Sequence, residues 1–349
     1  MRPALALTMG DPSGIGPEII ARTFTHKDIV EKARLIVLGD PNMMQLAIEG
    51  IRAELKLELI RDPEESSGEF GVISLIPVTD IKPDTFRYGQ VDAEYGKAAF
   101  SYIEKSIDLA KKGKVLGVVT APINKESLHL AGYQYSGHTE IFADKTGCSQ
   151  YAMVLCNQNL RVIHVTTHVA MRNACDMITE SRVYQVIELA DRVLKELGIS
   201  HAKIAVAGLN AHASENGLFG HEEQSSILPA IEKAQKKGIS VEGPVPPDTV
   251  FVKALAGQYD MVVAMYHDQG HIPVKLSGFR LNPETGKFDS CSGVNFTAGL
   301  PIIRTSVDHG TAFDKAGKFI SNEESMIDAI DIAVKMAVHK LSTKEGCPI

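Results

Sequence analysis

Short apolar runs alternate along the chain with longer segments of helical periodicity. Residues 4–9 form an apolar run that ends at Gly10-Asp11-Pro12-Ser13-Gly14-Ile15-Gly16-Pro17-Glu18. That is the pattern of a strand, a glycine-rich turn and a helix from about residue 17, with Pro early and Glu near its start. Runs at 34–38, 72–78 and 115–120 read as further strands. Residues 89–111 read as a helix with Ala98, Ile103, Ile107 and Ala110 on one face. Strands alternating with helices predict an α/β fold with a mainly parallel sheet. Ligands in such folds sit beyond the carboxyl ends of strands, where Gly10 and Thr120 fall.

The pattern changes after residue 150. Residues 151–155 and 161–165 flank Asn157-Gln158-Asn159 and predict an antiparallel hairpin. Helices are expected at 181–197, 224–237 and about 322–342, and strands at 203–207, 260–265 and 294–297. Residues 126–305 are expected to form a second α/β domain. The first would then be discontinuous, built from 1–125 plus about 306–349, with the last helix packing back on it. The polar stretch Arg280 to Ser292 reads as an irregular, mobile loop.

A length of 349 residues agrees with two domains, at ~100–200 residues each. Acidic residues outnumber basic ones 43 to 36, for a net charge of −7, which argues against nucleic acid as the main partner. A small anionic substrate is still open, because it needs only a few local cations. The five cysteines, Cys148, Cys156, Cys175, Cys291 and Cys347, show no CxxC spacing and read as reduced thiols. The N-terminal apolar run is too short for a signal peptide, and no segment approaches the ~20 apolar residues that span a bilayer. The expected location is cytoplasmic, with no membrane partner.

Three histidines recur in one kind of place. His168 follows the run 162–167, His212 follows 204–209, and His267 follows 261–265. Each lies just past a predicted strand, so the three imidazoles could converge at one sheet edge. Three neutral imidazoles suit Zn²⁺ and similar divalent ions and leave coordination positions open. Taken singly, each could instead be a hydrogen-bonded, half-buried side chain. Asp268, next to His267, and Asp248 could orient a ligating imidazole or accept a proton, and Asp248 could equally cap a helix. His138 and Thr139 follow a glycine- and tyrosine-rich loop and could donate to a substrate oxygen, or simply mark a turn and helix start. Lys275, Asn295 and Arg304 are polar residues inside the apolar runs Ile272–Leu276, Val294–Phe296 and Ile302–Thr305, which read as strands. Buried cations need a partner, which could be a substrate phosphate or carboxylate, or an internal salt bridge. The Gly10–Gly16 turn matches neither a dinucleotide fingerprint nor a phosphate-binding loop.

Six ordered motifs carry a resemblance. They are the Gly10–Glu18 turn, Ser136-Gly137-His138-Thr139-Glu140, Thr166-Thr167-His168, Gly208-Leu209-Asn210-Ala211-His212-Ala213, Met265-Tyr266-His267-Asp268-Gln269-Gly270 and Arg304-Thr305-Ser306-Val307-Asp308-His309-Gly310-Thr311. Together they resemble the 4-hydroxythreonine-4-phosphate dehydrogenase family over nearly the whole chain. Ala121–Glu126, Glu215–Gly220 and Gly257–Ala264 look most like its 4-phospho-D-threonate (or D-erythronate) 3-dehydrogenase branch.

The resemblance implies the fold of isocitrate and isopropylmalate dehydrogenases, two α/β domains with a cleft between them, in an obligate homodimer whose active site lies at the subunit interface. It implies a divalent metal (Zn, Mg, Co or Mn) held by His168, His212 and His267. It implies substrate contacts from His138, Thr139, Lys275, Asn295 and Arg304, and NAD bound in the cleft without a dinucleotide fingerprint. The implied reaction oxidises a phosphorylated hydroxy acid at C3, and the β-keto acid then loses CO₂. Lys275, Asp248 or Asp268 would accept the proton. Pyridoxal phosphate biosynthesis, a dihydrodiol dicarboxylate substrate, or a non-redox metal decarboxylase are the alternatives. One departure stands out: the family joins the Lys275 and Asn295 positions by a shorter link than residues 276–294.

Overall fold

In the computed structural model, which describes residues 2–284 and 288–345, the chain divides into two compact units. The first comprises Met1–Ser149 with Leu300–Ile349, and the second Gln150–Gly299.

The first unit opens with β1 (Ala4–Thr8), fully buried, then α1 (Gly16–Thr23), which has Pro17 and Glu18 in its first turn. There follow α2 (Lys27–Lys32), β2 (Arg34–Gly39), α3 (Pro41–Ile51), β3 (Lys56–Leu59), β4 (Val72–Pro77), α4 (Ala93–Lys111), β5 (Gly117–Thr120), α5 (Lys125–Leu130) and α6 (His138–Thr146). Asp92 caps α4 by accepting from Glu94 N–H, which starts that helix four residues later than the periodicity predicts.

The second unit starts with the predicted hairpin, β6 (Ala152–Cys156) against β7 (Arg161–His164), antiparallel. It continues through α7 (Met171–Met177), α8 (Glu180–Glu196), β8 (Ile204–Ala207), α9 (Leu228–Lys236), β9 (Val241–Val245), α10 (Pro247–Leu255), β10 (Met261–Ala264), α11 (His267–Gly278), β11 (Phe279–Leu281), β12 (Phe288–Cys291) and β13 (Val294–Ala298). Its sheet runs β13-β6-β7-β10-β8-β9, with β7, β10, β8 and β9 mutually parallel. Val162, Val262, Ala205, Val250 and Val274 belong to its buried core.

The chain then returns to the first unit with β14 (Ile303–Val307) and α12 (Glu324–Glu345). The first unit's strands lie in the order β3-β4-β2-β1-β5-β14, all parallel. Helix α12 packs on β14, where Thr305 Oγ1 donates to Ala329 O at 2.8 Å.

Three expectations change. The unit boundary falls at 149/150 and 299/300, so 126–149 and 300–305 belong to the first unit. Close packing explains it: Gly96 of α4 lets the Ser127 backbone of α5 approach where any Cβ would collide, and β14 pairs with β5. The run Ile272–Leu276 is not a strand but the middle of α11, with Pro273 inside the helix. The stretch Arg280 to Ser292 is also more ordered than an irregular loop. There β11 pairs antiparallel with β12; residues 285–287 lie outside the described residues.

Among the described residues, no helix is long and apolar enough to cross a membrane. Among the described residues, Cys148, Cys156 and Cys175 form no disulfide, and Cys347 lies outside the described residues.

Candidate active site

Strand order decides which side chains meet in the second unit. β10 lies between β7 and β8, and His168, His267 and His212 follow the carboxyl ends of β7, β10 and β8. Backbone bonds tie the first two ends together: Val165 N–H donates to Ala264 O at 2.8 Å, and Thr166 Oγ1 to Met265 O at 2.8 Å. The rings of His168 and His267 stand 5.6 Å apart, centroid to centroid. With Thr166, Met171, Tyr266 and Asp268 they line a cavity of about 310 Å³.

Asp268 Oδ1 lies 2.6 Å from His267 Nδ1. With Nδ1 donating to that carboxylate, the ring presents Nε2 as its lone-pair nitrogen, the arrangement that favours a metal ligand. Asp268 itself is exposed.

His212 is held differently. It lies in the short turn Ala211–Glu215; His212, Ala213, Ser214, Glu215 and the following Asn216 all have positive φ, between 45° and 64°. Five successive non-glycine residues in the left-handed region cost about 1–2 kcal/mol each and persist only when their surroundings impose them. The His212 ring faces Phe219 at 6.4 Å. The structure thus pairs two of the three expected imidazoles. Among the described residues, no group of three His, Cys, Asp or Glu side chains is gathered closely enough to hold an ion. Donor chemistry still fits a divalent metal, since three imidazoles emerge at the ends of three neighbouring parallel strands.

Two histidines that sequence reasoning passed over lie beneath the pair. His164 and His271 are buried, and His271 Nδ1 lies 3.2 Å from His164 Nε2. His164 Nδ1 donates to Met153 O at 3.1 Å, so its Nε2 is an acceptor. The His271 ring stacks on His267 with centroids 3.6 Å apart. Burial, aided by the neighbouring imidazoles, lowers His164 to about 4 and His271 to about 3, so both are neutral near pH 7. The available signals were a histidine inside the apolar strand 162–165, and the four-residue spacing of His267 and His271 on one helix.

A second polar group lies in the first unit. Arg304 is buried on β14, and its Nη2 donates to Thr120 Oγ1 at 2.8 Å. Its guanidinium stands 5.6 Å from the Phe142 ring centroid. Burial pulls Arg304 down to about 9, with Glu140 opposing, so it stays charged at pH 7. His138 begins α6 and Thr139 beside it is buried. The His138 Nε2 is enclosed without a hydrogen-bond partner; burial, then the Arg304 charge, holds its imidazole well below the usual range. A charged guanidinium beside a neutral imidazole suits an anionic oxygen.

The remaining candidates are more scattered. Lys275, on α11, places its ammonium 5.0 Å from the Phe279 ring centroid. Asn295, on β13, has a buried Oδ1 with no hydrogen-bond partner. Asp248 is exposed in the first turn of α10, after the capping position rather than at it, and that helix packs on the Ala211–Glu215 turn.

This geometry meets a decisive comparison. The family described as pyridoxal phosphate biosynthetic protein PdxA matches residues 31–333. The chain belongs to the PdxA family. A D-threonate 4-phosphate dehydrogenase of Salmonella typhimurium (strain LT2) is 48% identical over 334 residues, covering 95% of this chain and 98% of the relative. The crystal structure of a 4-hydroxythreonine-4-phosphate dehydrogenase from Klebsiella pneumoniae superposes with a TM-score of 0.84 at 45% identity, covering 97% of this chain and 98% of that one. A terephthalate 1,2-cis-dihydrodiol dehydrogenase from Burkholderia xenovorans is more distant, with a TM-score of 0.66 and 27% identity, over 96% and 98% of the two chains. This PdxA-family member is an oxidoreductase, with the α/β fold the sequence pattern predicts.

Proposed function

We propose that this chain oxidises a small phosphorylated hydroxy acid, 4-phospho-D-threonate or 4-phospho-D-erythronate, at C3 with NAD, and that the β-keto acid then loses CO₂. The observation that carries the reading is the His168–His267 pair, facing across an open cavity with Asp268 on His267 Nδ1. The substrate class is supported by the name of a 48% identical relative that this chain spans almost completely.

In this reading His168, His212 and His267 hold a divalent ion, Zn, Mg, Co or Mn. When bound, the ion supplies Lewis-acid stabilisation of charge on oxygen, and NAD supplies the hydride acceptor. The chain's own residues do the rest. Arg304 neutralises a phosphate or carboxylate oxygen, and neutral His138 and Thr139 add hydrogen bonds. Lys275 and Asn295 contribute further substrate contacts. The C3 hydroxyl loses its proton to Lys275, Asp268 or Asp248, while the C3 hydrogen leaves as hydride. Of the two aspartates, Asp268 has the closer link to the histidines, through His267 Nδ1. We further infer that the working protein is a cytoplasmic homodimer whose partner completes the active site.

The test is a substrate panel of 4-phospho-D-threonate, 4-phospho-D-erythronate and 4-phosphohydroxy-L-threonine, with NAD and each metal. NADH should appear with one of the first two. Turnover of the third alone would assign the chain to pyridoxal phosphate biosynthesis. Product without NADH would mean a non-redox metal enzyme.

A further inference from the structure

Two buried polar side chains outside the histidine set brace the backbone that carries it. Glu223 is 2% exposed and Gln269 8%. Glu223 Oε1 accepts from Leu209 N–H at 2.8 Å and Asn210 N–H at 2.7 Å, and its Oε2 accepts from Asn210 Nδ2 at 2.9 Å. Leu209 and Asn210 lead directly into the left-handed turn that bears His212.

Gln269 spans the next gap. Its Oε1 accepts from Met265 N–H at 2.7 Å, and its Nε2 donates to Gly208 O at 2.8 Å. Met265 is two residues before His267, and Gly208 immediately precedes Leu209. The hydrogen bonds therefore run without a break from the end of β10, through Gln269, to the end of β8, and on to Glu223.

The surrounding backbone is shaped for this arrangement. A Cβ on Gly208 would lie 2.9 Å from Ala213 Cβ and 3.3 Å from Glu223 Oε1. A Cβ on Gly220 would lie 2.5 Å from Asn210 Nδ2. Glu223 also opens the π-helical segment Glu223–Ile227, a distortion that commonly re-aims a side chain at functional sites.

We propose that Glu223 and Gln269 are positioning residues that hold the turn bearing His212 and the turn bearing His267 at a set separation, so that each imidazole is fixed for its place in a divalent-cation site. The inference rests on reading His168, His212 and His267 as the ligand set. Neither side chain makes a described hydrogen bond to a histidine; both act through the main chain. Without the Glu223 acceptors, two backbone N–H groups lose their partners and the left-handed turn loses what imposes it.

The test measures cobalt(II) affinity by calorimetry, together with the visible cobalt spectrum, in the absence of substrate and NAD. Glu223→Ala should weaken binding about 10–100-fold and alter the spectrum, while near-UV circular dichroism stays native. Glu223→Gln keeps an oxygen facing the two N–H groups and should restore most of the affinity. Gln269→Leu, similar in volume, should weaken binding in the same direction and serves if Glu223→Ala does not fold. Ile187→Ala, a core truncation in α8, should lower Tm and leave cobalt binding alone. If Glu223→Ala and Gln269→Leu bind cobalt like the parent while His212→Ala does not, the bracing role is wrong. If His212→Ala itself binds normally, the ligand reading fails instead.

Discussion

His271 Nδ1 lies 3.2 Å from His164 Nε2, a contact between two buried rings that seats α11 on β7. Gly270 makes it possible. A Cβ there would collide with His164 Nε2 and come within 2.6 Å of Val162 Cγ1. Gly270→Ala should therefore destabilise the protein by about 1–3 kcal/mol through overpacking, despite alanine's better helix propensity. Urea unfolding measures it, and a stabilised variant would contradict the packing argument.

Arg304 should trade stability for binding. It is a buried cation whose hydrogen-bond donors include one bond to Thr120 Oγ1. Arg304→Met removes a costly buried charge, so Tm should hold or rise. The KM for a phosphorylated substrate should rise at least about tenfold, because the charged donor is gone. Arg304→Lys should recover little, since a point charge cannot reproduce the planar fork. Thermal melts and steady-state kinetics on the same preparations decide it.

His212 has φ 52°, where glycine rests without strain. His212→Gly should abolish uptake of divalent metal and leave the apo-protein as stable or up to about 1 kcal/mol more stable. Loss of native circular dichroism would show instead that the ring is structural.

Asp11 should impose a pH dependence. Burial raises its pKa from 3.8 to about 6, against the lowering effect of its hydrogen bonds from Ser13. A folded-state pKa above the unfolded one means that the folded protein holds the proton more tightly. The contribution is then fully present below about pH 4 and is lost as pH rises through about 6. Asp11→Asn should reduce the fall in stability across that window. Unfolding midpoints in urea at pH 4, 5 and 6 test the sign, and a slope equal to the parent's would refute it.

Much of the architecture follows from local pattern. The hairpin 151–165 was legible because a polar Asn-Gln-Asn break separates two apolar runs, and β6 and β7 form there. Strand β9 was not, because Gly243 and Pro244 interrupt it. The Ile272–Leu276 run misled for a physical reason. A five-residue, mostly apolar stretch fits a strand or a helix equally well, and contact with β7 selects the helix. His164 lies inside β7, where a histidine in an apolar run carries no local mark of a site.

What the chain determined by itself was the alternation of strands and helices and the placement of His168, His212 and His267 just beyond three strands. Periodicity and turn chemistry act over a few residues, so both are visible without a fold. Tertiary structure alone decided that β10 lies between β7 and β8, that His168 faces His267, and that Gln269 links the turns of His267 and His212. Those relations join residues far apart along the chain. They depend on strand order and the packing of helices on the sheet, which no local pattern encodes.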